Sequence, residues 1–289
     1  MRRIGDRFDG KLLRDVDAIH FLMPLIYPSR CDNEGYISET VDLTSALEFL
    51  EKKNKNHDGY HYTVFQLVVT AVLKTLTLRP QLNRFIVNGS MYHRNRMSVS
   101  FTVKKKFEDS SDEGLAFVDA VRADTLDTIH DKIYRQIYET RKGGGGDAVE
   151  TIDIFRKMPR FLGKNLIRAV VWAERHGIVL PSLTKGDPGY SSVMLSNLGS
   201  IGMKSGYHHL SNWGTNSIFI VMGIIKKRPF IDEKGKSKMR ASVDLGLTID
   251  ERIADGYYYS KSVKLLKYFL EHPELLEKRL DEKPAKKSK

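Results

Sequence analysis

The residues of this 289-residue chain that could do chemistry gather in its last third. Three short segments stand out: Ser196-Asn197-Leu198-Gly199, Ile220-Val221-Met222-Gly223, and Asp250-Glu251-Arg252-Ile253-Ala254-Asp255-Gly256. Between the first two lies His208-His209, whose imidazoles suit proton transfer near neutral pH. Paired histidines on a loop are more often polar surface residues. No third ligand at metal-ligand spacing accompanies them, so no metal is expected. The run Gly143–Gly146 lacks the Lys-Ser/Thr ending of a phosphate-binding loop and reads as a connector. The single cysteine, Cys31, excludes a disulfide framework and a Cys-based zinc module within one chain, and it suits a reducing compartment.

Charge opens other possibilities. There are 47 Lys+Arg against 36 Asp+Glu, a formal net charge of +11. Seven basic and two acidic residues lie between Lys226 and Arg240, and the segment from Glu277 to Lys289 holds six basic and three acidic. Both read as solvated rims, with some capacity to steer a polyanion. His93, Arg94 and Arg96 with Lys104–Lys106 resemble a nucleic-acid patch in composition. No nucleic-acid-binding motif accompanies them, so they read as the rim of a hairpin and no nucleic acid is expected. Residues 156–175 interleave Phe161, Leu162, Leu166, Ile167 and Trp172 with Arg160, Lys164 and Arg168. That pattern fits a core-packing helix with a basic face, or a helix lying on a membrane surface. No apolar run reaches spanning length, and the charged start MRRIGDRFDG is unlike a signal peptide, so a cytoplasmic protein is expected.

The elements that would position these groups alternate between helix and strand. Tyr36–Val41 and Met97–Val103 alternate as strands, and Asn88-Gly89 within Arg84–Tyr92 predicts a hairpin. Helices are predicted over 43–50, with Asp42 or Thr44 as N-cap, and from Val64 to the stop at Pro80. A long helix is predicted over 113–140. Strands follow at Ser192–Leu198, Ser217–Ile225 and Met239–Ile249, and then a helix at Lys261–Leu270. The mixture implies an α/β or α+β class with a mixed sheet. With 41% hydrophobic residues, the chain is expected to fold as a single domain over 1–276, followed by a charged tail, 277–289.

The three segments, taken in order with Leu78–Phe85 and Ser262–Leu276, resemble the catalytic domain of the 2-oxoacid dehydrogenase acyltransferases, in the chloramphenicol acetyltransferase-like superfamily. The resemblance is strongest over 37–276. It implies a two-layer α/β sandwich with a mixed sheet. In that superfamily a histidine in a His-x-x-x-Asp-Gly motif is the base, and a hydroxyl on the SNLG-type strand stabilises the oxyanion. Carried over, Ser196 takes the hydroxyl's place and Asp255-Gly256 the end of the motif. Arg14 is the candidate N-terminal arginine pairing with Asp255. Asn197, Gly199, His208 and His209 become candidates for contact with substrate or CoA.

The motif histidine is absent, and Glu251 stands in its position. An exposed glutamate, with a pKa near ~4.3, is a weak base toward a thiol, whereas burial in an apolar channel would raise it. The resemblance therefore implies a CoA-dependent acyltransferase with a small thiol, hydroxyl or amine acceptor and Glu251 as base. The alternative is an inactive trimeric acyl-CoA-binding scaffold, with Glu251 structural or paired to Arg252. It also implies a homotrimer in which Glu251 approaches Ser196 of the neighbouring subunit. Without a lipoyl-type segment before residue 37, the expected protein is a stand-alone relative. Tyr257-Tyr258-Tyr259 reads as packing or subunit contact.

Overall fold

Strand alternation and one largely apolar helix dictate the architecture. The computed structural model describes residues 3–104, 113–142, 158–178, 187–231 and 234–284. In chain order the strands and helices are β1 (Gly10–Leu12), α1 (Ala18–Ile26), β2 (Glu34–Asp42), α2 (Thr44–Asn54), α3 (Val64–Leu78), β3 (Arg84–Val87), β4 (Ser90–Arg94), β5 (Met97–Lys104) and β6 (Glu113–Ala120). They continue as α4 (Leu126–Arg141), α5 (Arg160–Arg175), β7 (Val193–Asn197), β8 (Ile218–Met222), β9 (Lys226–Ile231), β10 (Ser237–Asp250) and α6 (Gly256–Glu271). A mixed sheet runs β2-β10-β8-β7-β5-β6, with β9 also paired to β10; β5, β7 and β8 are mutually parallel. A small antiparallel sheet, β1-β4-β3, stands beside it.

Helices α2, α3, α4 and α6 form the second layer on one face of the large sheet. From the strands, Val99, Phe101, Leu195, Ile220, Leu245 and Leu247 point into this core. Helix α3 is buried nearly all round, as its apolar residues on every side require, and a Thr63/Gln66 capping box starts it. Its one ammonium, on Lys74, donates to the carbonyls of Lys278 and Arg279. Burial pushes that amine's pKa down, while Glu282 and Asp281 pull the other way. Leu280 beyond it is fully buried, so the charged stretch from Glu277 is not wholly a solvated tail.

The hairpin over β3 and β4 forms at Asn88-Gly89, both with positive φ (48° and 71°), as a two-residue turn matched to strand twist demands. The helix predicted over 113–140 is overturned in its first part. Leu115 is exposed while Gly114, Ala116, Val118 and Ala120 are buried, a period of two that pairs β6 with β5. Helix α4 begins only after Thr125, whose side chain caps it together with Thr128. At α2 the N-cap position is held by Leu43, and the Asp42 carboxylate accepts from Thr44 N at 2.9 Å. Arg94, expected on a basic rim, is buried instead. It donates to Tyr190 O, Thr215 O and Thr215 Oγ1, and its guanidinium lies 4.7 Å from the Phe85 ring centroid. Burial lowers its pKa to about 10. The Gly143–Gly146 run, Lys105 and Lys106 lie outside the described residues.

The loop after β7 crosses the helix-free face of the sheet so closely that a Cβ on Gly246 would collide with Gly206 O. Replacing Gly246 with Ala must lift that loop. The expected result is a loss of about 1–3 kcal/mol in urea unfolding, the usual cost of overpacking.

Candidate functional site

Ser196 owes its orientation to alternation along β7. Val193 and Leu195 enter the core, so Ser196 faces the opposite side, with Phe219 of β8. The strand ends in a tight turn: Asn197 Oδ1 accepts from Ser200 N (3.2 Å), and Ser200 Oγ donates to Asn197 O (2.7 Å). A side chain on Gly199 would clash with Gly223 O and one on Gly223 with Ser205 N, which explains the glycines closing both short segments. The chain then returns over the sheet. Ile224 N donates to Met203 O at 2.8 Å, and His208 comes to rest with its ring 4.9 Å from that of Phe219.

A cleft of about 950 Å³ opens here, and Ser196, Asn197, Gly199 and His208 all line it. Phe65, Phe101 and Phe219 supply apolar wall, and Tyr60, Lys104 and Arg141 also line it. The structure thus brings four of the predicted site residues together. It leaves out His209, which is exposed with Nδ1 3.0 Å from Leu210 O, and it leaves out Glu251.

Glu251 follows the end of β10. Ser196, Val221 and Gly246 are level across β7, β8 and β10. Glu251 is five residues beyond Gly246, about 17 Å further along at strand rise. Within one chain these two side chains cannot meet. Glu251 is exposed. Its chain packs across Gly35 of β2, and its backbone N–H donates to Asn33 O at 3.0 Å.

What holds that residue in place is a buried ionic cluster. The guanidinium of Arg252 donates to both oxygens of Asp250 (2.8 and 2.7 Å), with the two side chains 1% and 0% exposed. Arg252 also donates to Tyr27 O and Pro28 O. Arg30 approaches Asp250 from the N-terminal segment (3.8 Å) and donates to Ser211 O and Gly214 O. Burial pushes the Arg30 pKa down, and Asp250 opposes the shift. The Tyr259 hydroxyl donates to Asp250 O (2.8 Å); burial drives its pKa well up, and the charges of Asp250 and Glu251 add to this.

Two sequence expectations are corrected here. Arg14 does not pair with Asp255. It lies 3.5 Å from Asp6 and donates to Ile4 O and Leu12 O, while Asp255 caps α6 by accepting from Tyr258 N at 2.7 Å. Nor is Arg252 a partner for Glu251, since Asp250 occupies it. Arg30 and Asp250 went unrecognised in the sequence. The available signal was the Asp-x-Arg spacing around Glu251, which puts both ends of the pair on one side of an extended chain.

This fold, with a serine-lined cleft walled by strands β5, β7 and β8 and by helices α2, α3 and α4, is that of the chloramphenicol acetyltransferase-like acyltransferases. Residues 181–277 match the family model described as 2-oxoacid dehydrogenases acyltransferase (catalytic domain). A probable dihydrolipoamide acetyltransferase from Listeria monocytogenes is 17% identical, with 93% of this chain and 96% of that chain covered and a TM-score of 0.60. The dihydrolipoamide acetyltransferase of Azotobacter vinelandii is 13% identical, with 92% and 94% covered and a TM-score of 0.60. A chloramphenicol acetyltransferase is 13% identical, with 89% and 100% covered and a TM-score of 0.50. A comparison with curated protein sequences returns no match. The resemblance drawn from the short segments is borne out, by sequence over 181–277 and by fold along most of the chain.

Removing Arg252 should leave Asp250 buried and unpaired. Arg252→Ala is expected to lose about 3–5 kcal/mol in urea unfolding. Arg14→Ala, on the exposed pair, should change stability by less than about 0.5 kcal/mol.

Proposed function

We propose that the protein is a CoA-dependent acyltransferase that moves an acyl group from acyl-CoA to a small thiol, hydroxyl or amine acceptor. Its site lies between subunits of a homotrimer. The observation that carries this reading is the separation of its two chemical halves. Ser196 opens into a cleft of about 950 Å³, while Glu251 stands rigid and exposed about 17 Å along the sheet. An exposed carboxylate anchored by a fully buried ionic cluster is well suited to enter a neighbour's cleft.

In this mechanism, Glu251 of one subunit takes the proton of the acceptor as it attacks the thioester carbonyl. The Ser196 hydroxyl of the other donates to the oxyanion that forms. Entry into a neighbour's apolar cleft would desolvate the carboxylate and raise its proton affinity, which a glutamate base needs. The tetrahedral intermediate collapses by breaking the carbon–sulfur bond, and the thiolate of CoA leaves, taking the proton that Glu251 had received and restoring the carboxylate. Asp255 and Gly256 serve by starting α6 directly after the turn that carries Glu251. His208, inside the cleft beside Phe219, is placed for contact with acceptor or CoA. Similar solved structures include the core of a pyruvate dehydrogenase multienzyme complex, which supports an assembly of subunits.

Thiol release from acetyl-CoA and longer acyl-CoAs, with small thiol, alcohol and amine acceptors, tests the reading. Ser196→Ala should lower kcat by about 10²–10³-fold, and Glu251→Gln by about 10²–10⁴-fold. Full activity of Glu251→Gln would exclude it as the base. CoA binding without turnover of any donor would favour the scaffold reading. Light scattering should give three times the 33.1 kDa chain mass, and a clean monomer would remove the shared site.

A further inference from the structure

The acyl-transfer reading makes no use of α5. Over Arg160–Arg175 this helix keeps Phe161, Leu162, Leu166, Ile167 and Trp172 exposed, Phe161 by 70% and Trp172 by 58%. Among the described residues, no strand or other helix packs extensively along it. Its anchor is its last turn, where the buried Arg7 donates to Glu174 Oε1 (2.6 Å) and Glu174 O (2.9 Å). The helix therefore stands against the body at one end, with most of its surface free.

The arrangement of that surface is specific. At 100° per residue, Arg160, Lys164, Arg175 and Arg168 fall within an arc of about 80°. Phe161 and Trp172 border that arc on one side, and Leu162 and Leu166 lie beyond them, so the cations and the bulky apolar groups occupy adjacent sectors that together span about 240° of the helix. Trp172 also stacks on His176, with ring centroids 4.3 Å apart. A row of cations beside an apolar face with a tryptophan at the boundary is how a helix lies in the headgroup region of a bilayer. The occupant must bring negative charge together with apolar depth. A second copy of this chain, carrying a net +11, is a poor complement to four clustered cations. An anionic lipid surface supplies both properties.

We propose that α5 is an interfacial helix that docks the protein on an anionic lipid bilayer. The cations meet the headgroups, Phe161, Leu162, Leu166 and Trp172 enter the acyl boundary, and the Arg7–Glu174 bond fixes the helix to the body. The proposal does not depend on acyl transfer, because its test reads binding alone.

The test is flotation of the full-chain protein with vesicles of phosphatidylcholine, alone or with anionic phosphatidylglycerol, at low and high salt. The protein should float with the anionic vesicles and detach as salt rises. The combined variant Arg160→Gln, Lys164→Gln, Arg168→Gln should partition roughly a hundredfold less, about fivefold for each cation lost. Phe161→Ser with Trp172→Ser should also release it, with circular dichroism unchanged to show that the fold survives. Lys227→Gln with Lys238→Gln, which lowers net charge away from α5, should float like the unaltered protein. No flotation with anionic vesicles at low salt would overturn the proposal and leave α5 to a protein partner. Equal flotation of the α5 variants, or equal binding to neutral vesicles, would also overturn it.

Discussion

The buried contact of Asp250 with Arg252 and Arg30 is the constraint on which the rest of the site depends. Three charged groups, one carboxylate and two guanidiniums, lie almost entirely out of water, a cost met by the Asp250–Arg252 pairing and by the backbone carbonyls that take guanidinium N–H groups of both arginines. Arg252 satisfies both oxygens of Asp250 and ties the end of β10 to Tyr27 and Pro28. Arg30 adds the loop at Ser211 and Gly214. One carboxylate thus gathers the N-terminal segment, the histidine-bearing loop and the strand end that presents Glu251. The residue between the paired pair inherits their rigidity and points outward.

A second constraint acts at the other end of the sheet. Gly199 against Gly223 and Gly246 beneath Gly206 let backbone lie on backbone, which brings His208 over the sheet beside Phe219 and near Ser196. Electrostatics fixes one half of the proposed site and close packing the other. In the proposed mechanism, joining the halves falls to assembly, since the two lie about 17 Å apart along the sheet within one chain.

Much of this was legible in the sequence wherever a local rule decided the outcome. Asn88-Gly89 can make one kind of turn between strands, and the apolar run from Val64 can only be a buried helix. The segments ending at Gly199 and Gly223 lie together at the cleft because both ends are in close backbone contact. The misreadings arose where local and long-range forces disagree. Phe117, Val121 and Leu126 fit a helical period, yet pairing with β5 took the first part as strand. Arg14 was chosen by its position in the chain, whereas burial and geometry select Arg30 and Arg252. Which arginine reaches a buried aspartate is a three-dimensional fact, and only the Asp-x-Arg spacing around Glu251 hinted at it.

The central claim is that Ser196 of one subunit works with Glu251 of another. Coexpression of Ser196→Ala and Glu251→Gln subunits tests it most directly, because mixed trimers rebuild some sites with both residues intact. The account predicts that each variant alone is nearly inactive and that mixed trimers recover acyl transfer. Mixed trimers that form yet stay as inactive as either parent, beside an active unaltered protein, would contradict it.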